Sequence, residues 1–503
     1  MVQGKCFVRP GFTAKAFWIY FVPATRLANL IKVTFPVCWT GFLAGAAALT
    51  HSVCFAQSMP EVAPEFVFTV QAEGQNATVR VLTRAATCPA VSWDGQASLS
   101  MDLRAAAATP PPRGDNAQKD SKVAVFDVLT CEAKWPKRAK RGRVAGQDVP
   151  APRAQIKRIV LIGDTGCRMK ASENAFQPCN DSLKWPFAQV AQSAAALHPD
   201  LVIHVGDIHY RESPCPTGNA GCANSPWGYG FDAWQADLFE PAKPLLAAAP
   251  WVFVRGNHES CYRAGQGWFR FIDTQIWQEE RSCNDPALDE QADYSAPYAV
   301  PLTVDTQLLV FDSSRTQGKP MTAKDVAYGK YLQQMQQVAQ LAQLKPENFF
   351  MSHHPLLAVA PVKDINRFKP GGTEGLQSVF SVLYPQRLFP PGVSVAMHGH
   401  VHLFEAISFK SAHPLSLVLG NSGSAIEGLV PEVLAPGVTL YPGAEVEDYA
   451  ARSEYGFATL DRVDPKLGGD WKLTEYSIHG VPLIECAIAR GKSRCRKLAT
   501  LPK

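Results

Sequence analysis

The sequence predicts an α/β fold preceded by a small β segment, and three observations predict it. Six short apolar runs end in polar turns, most of them containing glycine: RIVLIGD (158–164), LVIHVGD (201–207), WVFVRGN (251–257), QLLVFDSS (307–314), NFFMSHHP (348–355) and VSVAMHGH (393–400). Between several of them lie runs of good helix formers with helical apolar spacing, FAQVAQSAAAL and KYLQQMQQVAQLAQL. Short buried strands that deliver chemistry at their C-terminal ends are the mark of an α/β domain. Upstream, EFVFTVQ, TVRVLT and VAVFDVLTC alternate or run apolar with β-branched residues, as strands do.

The elements follow in order. Residues 1–56 hold no Asp or Glu and five basic residues, Lys5, Arg9, Lys15, Arg26 and Lys32. The apolar run VTFPVCWTGFLAGAAALTHSVCFA comes next and ends in small residues before Gln57. A charged start, an apolar stretch and a small-x-small end predict a secretory signal peptide, hence a periplasmic or secreted protein. A membrane anchor is the competing reading. Pro36 and His51 within a run barely long enough to span a bilayer speak against it, and the mature chain is expected to carry no transmembrane span.

Residues 57–132 read as the small β domain. Residues 133–155 read as a basic, Pro-containing linker, with six Lys/Arg in 134–143; contact with an anionic surface is the alternative there. Residues 156–430 read as the main α/β domain, and 431–503 as its completion plus a basic tail. A chain of 503 residues has room for these parts. With 46% hydrophobic, 10% aromatic and 19% charged residues it is neither disordered nor a coiled coil. A net charge of +4 excludes a protein that coats nucleic acid, and no nucleic-acid-binding module or Gly-rich nucleotide loop is evident. Nothing in the sequence reports an oligomeric state.

Cysteine use agrees with export. Without residues 1–56 the 13 Cys become an even ten and the charge turns slightly negative. Proximity in sequence suggests Cys167–Cys179, Cys215–Cys222, Cys261–Cys283 and Cys486–Cys495, leaving Cys88–Cys131, although spacing does not fix pairing. A zinc ribbon competes poorly, because no CxxC occurs.

Five of the strand ends carry metal-ligand residue types: Gly163-Asp164-Thr165-Gly166, Gly206-Asp207-Ile208-His209-Tyr210, Gly256-Asn257-His258-Glu259, His353-His354-Pro355 and Gly399-His400-Val401-His402. Each alone is weak; five in series after apolar strands are not. Asp, Asn and His supply the oxygen and nitrogen donors that suit hard or borderline di- and trivalent metals. A carboxylate can bridge two ions, and two ions close together can polarise a phosphoryl oxygen and acidify water. Glycines before Asp164, Asp207, Asn257 and His400 are expected to let the backbone turn sharply.

These five motifs resemble the calcineurin-like metallophosphoesterases, and within them the purple acid phosphatases. The general family has Asp-x-His in the first motif; here Thr165 and Gly166 follow Asp164, and Tyr210 stands three residues after Asp207, as in the purple branch. The resemblance spans roughly residues 156–425 and implies a four-layer αββα metallophosphoesterase sandwich holding two metal ions, Fe(III) plus Fe, Zn or Mn(II). It implies that Asp164, Tyr210 and His402 bind the first ion, that Asn257, His353 and His400 bind the second, and that Asp207 bridges. It further implies that His258 contacts phosphate and assists the leaving group, and that a hydroxide held by the metals attacks phosphorus in line.

Other residues stay open at this stage. His354 either orients substrate as a second catalytic histidine or is a loop residue. His209 and Arg211 are candidate substrate contacts, alongside Asn257 and His258, and Arg168 is another. Tyr210 could be a packed aromatic, and His204, inside an apolar strand, reads as a satisfied core histidine. The chain departs from the purple branch after Pro355, where LLAVAPVKDINRFKPGG holds no further His, so Lys363, Arg367 or Lys369 would have to offer positive charge. The loop RESPCPTGNAGCANSPWGYG, followed by Trp234, is either a pocket wall or a lid with its aromatics packed inward.

The function expected is an extracytoplasmic dimetal phosphatase acting on phosphomonoesters. A phosphodiesterase of the same fold, acting on nucleotides or lipid head groups, is the alternative enzyme. A metal-binding envelope protein on this scaffold is the non-enzymatic alternative.

Overall fold

A computed structural model describes residues 64–113, 121–362, 367–463 and 471–498. The expected signal segment lies outside the described residues.

Two sheets dominate. The larger has 11 strands and the other 7. At the centre of the larger sheet, Arg158–Ile162, Leu201–His204 and Trp251–Phe253 run parallel as neighbours, in register Ile159 with Leu201 and Ile203 with Val252. In the smaller sheet, Thr306–Val310, Glu347–Met351, Val393–His398 and Leu415–Leu419 are consecutive parallel neighbours. These strands are mostly apolar and almost wholly buried because both of their faces are covered, as in parallel sheets generally.

Period-two geometry splits each strand between two cores. Ile159, Leu161 and Ile203 join Phe349, Met351, Val395 and Met397 in one cluster that draws on both sheets. Val160, Ile162 and Val202 point the other way and pack with residues of the helices Phe187–Ala195 and Gly265–Phe271. On the far side of the smaller sheet, Phe350 and Ala396 meet Met335 and Val338 of the helix Val326–Ala342 and Leu376 and Phe380 of the helix Glu374–Leu383.

The N-terminal β segment is not set apart. Phe66–Gln71 lies parallel to Trp251–Phe253, with Val70 opposite Trp251, so Phe66–Gln71, Ala77–Thr83, Leu129–Lys134 and Asp102–Ala105 extend the large sheet. Residues 60–503 form one compact unit. The expected linker at 133–155 folds too: Gly142–Val144 and Gln147–Val149 pair in a four-stranded sheet with Ala90–Trp93 and Leu99–Ser100. Its charges sit on the solvent side of short strands, a pattern that composition alone reads as a linker. Buried Arg80 and Arg104 also fasten this region to the catalytic part, donating to the carbonyls of Phe271 and Phe269 at 2.8 and 2.7 Å.

All ten cysteines from Cys88 onward are joined: Cys88–Cys131, Cys167–Cys179, Cys215–Cys222, Cys261–Cys283 and Cys486–Cys495. The last bridge ties the outer edge of the large sheet, where Pro482–Ala489 pairs with Lys492–Lys497. The alternating basic residues on that edge discourage pairing with another chain. Among the described residues no helix is long and apolar enough to cross a membrane.

Candidate metal centre

Parallel strands present their C-terminal ends together. Asp164, Asp207 and Asn257 follow three adjacent strands of the large sheet; His353, His400 and His402 follow two adjacent strands of the smaller one. The two sets of loops meet. The ligand-type atoms of Asp164, Asp207 and His353 lie within 4.8 Å of one another, as do those of His353, His354 and His400.

The turns are made differently from the expectation. Asp164, Asp207 and His400 themselves adopt left-handed backbone, with φ of 52°, 53° and 70°. That conformation costs a non-glycine residue about 1–2 kcal/mol, and such strain collects at functional sites. Of the four glycines expected to turn the chain, only Gly206 is left-handed. The others provide close approach: a Cβ on Gly256 would lie 2.1 Å from Asp207 Oδ1, and one on Gly399 would lie 2.5 Å from Asp164 Oδ2.

Tyr210 stands at the centre of one half of the site. Its hydroxyl lies 2.9 Å from Asp164 Oδ1, 3.0 Å from Asp207 Oδ2 and 2.8 Å from His402 Nε2. It is therefore a member of the cluster and not an ordinary packed aromatic. His402 donates from Nδ1 to the carbonyl of Ala425 at 2.7 Å, which leaves Nε2 as the donor atom facing the cluster. His353 is oriented the same way, with Nδ1 3.0 Å from the carbonyl of Val205 and Nε2 3.0 Å from Asp207 Oδ2. Asn257 Oδ1 is buried without a hydrogen-bond partner. A buried, unpaired acceptor beside convergent carboxylates, imidazoles and a phenol fits a cation, and this donor set suits hard or borderline metals.

The electrostatics agree. Burial opposes a charge on His353, yet Asp207 and then Asp164 lift it to about 9. Burial, followed by the same two carboxylates, pushes the Tyr210 phenol well up. His400 and His354 are pushed down by burial and by neighbouring imidazoles, His400 to about 4, so both stay neutral. One half of the site is thus carboxylate-rich and the other offers neutral imidazole, which is what metal ligation requires.

The remaining expected residues fall into two groups. His258 and His354 join the site. The His258 backbone N–H donates to Asp207 Oδ1 at 2.9 Å, and its ring lies 3.9 Å from that of Tyr210. Its Nδ1 is 2.7 Å from Glu212 Oε1. The His354 ring is 4.3 Å from His400, with Nδ1 3.0 Å from Ser313 Oγ. His209 and Arg211 are not brought to the cluster. His209 packs against Tyr229 and Trp234, and Arg211 pairs with Asp237 at 2.7 Å beneath the Trp185 ring. Arg168 is held by Glu173 and Glu427, and His204 is a satisfied core residue between Thr165 Oγ1 and the Gly206 N–H. Tyr229 and Trp234 are buried, so these aromatics of the Cys215–Cys222 region point inward.

A cleft of about 680 Å³ opens beside Asn257, His354 and His400, with Lys369, Thr373 and Glu427 on its walls. Lys363 lies outside the described residues.

Sequence reasoning missed two carboxylates. Glu259 accepts four backbone N–H groups, from Asp207, Ile208, His209 and Gly256, at 2.8–3.1 Å. Asp237 accepts from Cys167 and Tyr210 at 2.9 and 2.8 Å. Each ties neighbouring ligand loops together. Glu259 was in view, directly after His258; Asp237 carries no local signal.

Residues 157–404 match the sequence profile of the calcineurin-like phosphoesterases. The chain carries a calcineurin-like phosphoesterase domain. No curated protein matches the chain as a whole in sequence. Among solved structures, a purple acid phosphatase from seeds of yellow lupin (Lupinus luteus) is similar at 16% identity and a TM-score of 0.48, covering 83% of this chain and 72% of the lupin chain. PhoD is similar at 10% identity and a TM-score of 0.45, over 88% of this chain and 94% of its own. A calcineurin-like phosphoesterase, YfkN from Bacillus subtilis, is similar at 12% identity and a TM-score of 0.28, over 68% and 91%. The phosphoesterase profile ends just past His402, so it spans all five ligand loops.

Proposed function

We propose that this phosphoesterase hydrolyses phosphomonoesters outside the cytoplasm, with two metal ions. The observation that carries the reading is the convergence of Asp164, Asp207 and His402 on the Tyr210 hydroxyl, within 3.0 Å. Asp164, Tyr210 and His402 would hold one ion, Asn257, His353 and His400 the other, and Asp207 would bridge them. Bound there, such ions supply Lewis acidity toward phosphoryl oxygens and acidify water, and iron joined to the Tyr210 phenolate would absorb visible light. The chain's own groups do the rest. Ala425 and Val205 orient the His402 and His353 imidazoles, and His258, anchored by Glu212 and kept toward its neutral form by burial and Arg263, would contact the phosphate and assist the leaving group. Five disulfides support an extracytoplasmic location.

Two measurements test this. Metal-loaded protein is expected to turn over p-nitrophenyl phosphate with a higher kcat/KM than bis(p-nitrophenyl) phosphate; preference for the diester would favour the phosphodiesterase, and two bound metals without turnover on any phosphate ester would favour a binding protein. The iron-loaded protein is expected to show a visible band that disappears in Tyr210→Phe, and a colourless wild type with bound iron would remove Tyr210 from the ligand set.

A further inference from the structure

The sequence offers no histidine after Pro355 to meet the phosphate, and two nearby arginines are committed elsewhere: Arg211 to Asp237, Arg168 to Glu173 and Glu427. Arg263 is paired as well, with Glu212, but unlike the other two it stands against the His258 ring. Its Nη2 lies 2.6 Å from Nδ1 and 2.7 Å from Nε2 of His258, and it contacts Glu212 Oε1. His258 Nε2 is in turn 3.7 Å from Asp207 Oδ2, so the guanidinium is one imidazole removed from the bridging carboxylate. Glu212 is buried at 1% side-chain exposure while Arg263 retains 12%, which makes the cation the more solvent-accessible member of the pair. The loop that carries it is locked. The Arg263 N–H donates to Ser260 O at 2.9 Å, Cys261 is bonded to Cys283, and the Cys261 N–H donates to Asp293 Oδ1 at 2.7 Å. One short loop thus presents Asn257, His258 and Arg263 together.

We infer that Arg263 binds a terminal phosphate oxygen of the substrate and sets a preference for monoesters over diesters. A monoester carries up to two negative charges over three terminal oxygens. A diester carries one charge over two, because the third oxygen bears the second ester group. A planar guanidinium matches the extra charged oxygen and offers little to an ester oxygen. Arg263 thereby supplies a phosphate contact in place of the histidine that the stretch after Pro355 lacks. The inference rests on the phosphatase reading above for its substrate class, but not for phosphate binding itself.

The test uses the full-length, metal-loaded protein and the variants Arg263→Gln and Arg263→Lys. Arg263→Gln is expected to weaken inorganic phosphate in calorimetric titration, and to raise KM for p-nitrophenyl phosphate, by at least about tenfold. Over the same change, kcat/KM for the bis-ester is expected to stay within about threefold with metal content retained, while Tm falls because buried Glu212 loses its guanidinium partner. Arg263→Lys is expected to recover part of the phosphate affinity. Unchanged phosphate affinity in Arg263→Gln with its metals in place overturns the inference. So does an equal loss on both esters, which would make Arg263 a support for His258 and Glu212. If Arg263→Gln does not fold, Arg263→Lys decides: intermediate phosphate affinity upholds the role of the guanidinium, and wild-type affinity overturns it. If the wild type turns over no monoester, the phosphatase reading fails, and the phosphate titration still judges Arg263 by itself.

Discussion

Asp207→Asn is expected to empty both metal positions, to lower turnover by at least about a thousandfold, and to leave even the metal-free protein less stable than the wild type. The two halves of this expectation have separate causes. Asp207 Oδ2 lies 3.0 Å from both the Tyr210 hydroxyl and His353 Nε2, so it is the one carboxylate shared by the two halves of the ligand set. Without a cation, the Asp207 charge is favoured, despite burial, by His353, His258 and Arg263, and Asp207 is the main group that lifts His353. Asn keeps an oxygen to accept from the His258 N–H and tolerates φ near 53°, but it removes the charge that pairs with buried His353. The measurement is metal analysis together with thermal unfolding, with and without a chelator. Chelation is expected to lower the Tm of the wild type, because an ion that binds only the folded state stabilises it, and to leave Asp207→Asn unmoved. A full metal complement in the variant would contradict the bridging role.

The ligand set was legible in the sequence because each of its members follows an apolar strand within a few residues. Parallel neighbours such as Arg158–Ile162 and Leu201–His204 place successive loops side by side, so Asp164 and Asp207 need no long-range information to meet. The same regularity exposed the helices that cover the sheets. What was not legible acts across sequence. Asp237 reaches Tyr210 over 27 residues and Arg263 reaches Glu212 over 51, and no local pattern announces either contact. EFVFTVQ and TVRVLT form strands as expected, whereas of VAVFDVLTC only Leu129–Cys131 lies in one, and the pairing of Val70 with Trp251 that merges this region into the large sheet is a long-range choice. The glycines misled for another reason. Gly256 and Gly399 were read as hinges, whereas their missing side chains are room for the Asp207 and Asp164 carboxylates.

Glu259→Ala tests that long-range scaffolding, and it is expected to destabilise the protein by about 3–5 kcal/mol and to lose both metals without removing a ligand. Glu259 is fully buried, and its two oxygens accept the N–H groups of Asp207, Ile208, His209 and Gly256. Each buried donor left unpaired costs about 1–3 kcal/mol, and water entering the vacated space returns part of the total. The Asp207 turn is the most exposed to the loss, since its left-handed φ persists only while the surroundings hold it. Glu259→Gln is not expected to rescue, because its amide would direct N–H groups at two of the four donors. The carboxyl also couples stability to pH. Burial, followed by repulsion from Asp207, raises it from 4.5 to about 7, so the folded metal-free protein holds a proton that the unfolded chain releases. Stability from this group is therefore complete below pH 4.5 and lost as pH rises through about 7, and the slope should vanish in Glu259→Ala. Thermal unfolding across that range, with metal analysis of the purified variant, reads both effects. If Glu259→Ala keeps the wild-type Tm and both ions, the Asp207 loop is held by Gly256 packing and its own backbone, and Glu259 is not the clamp.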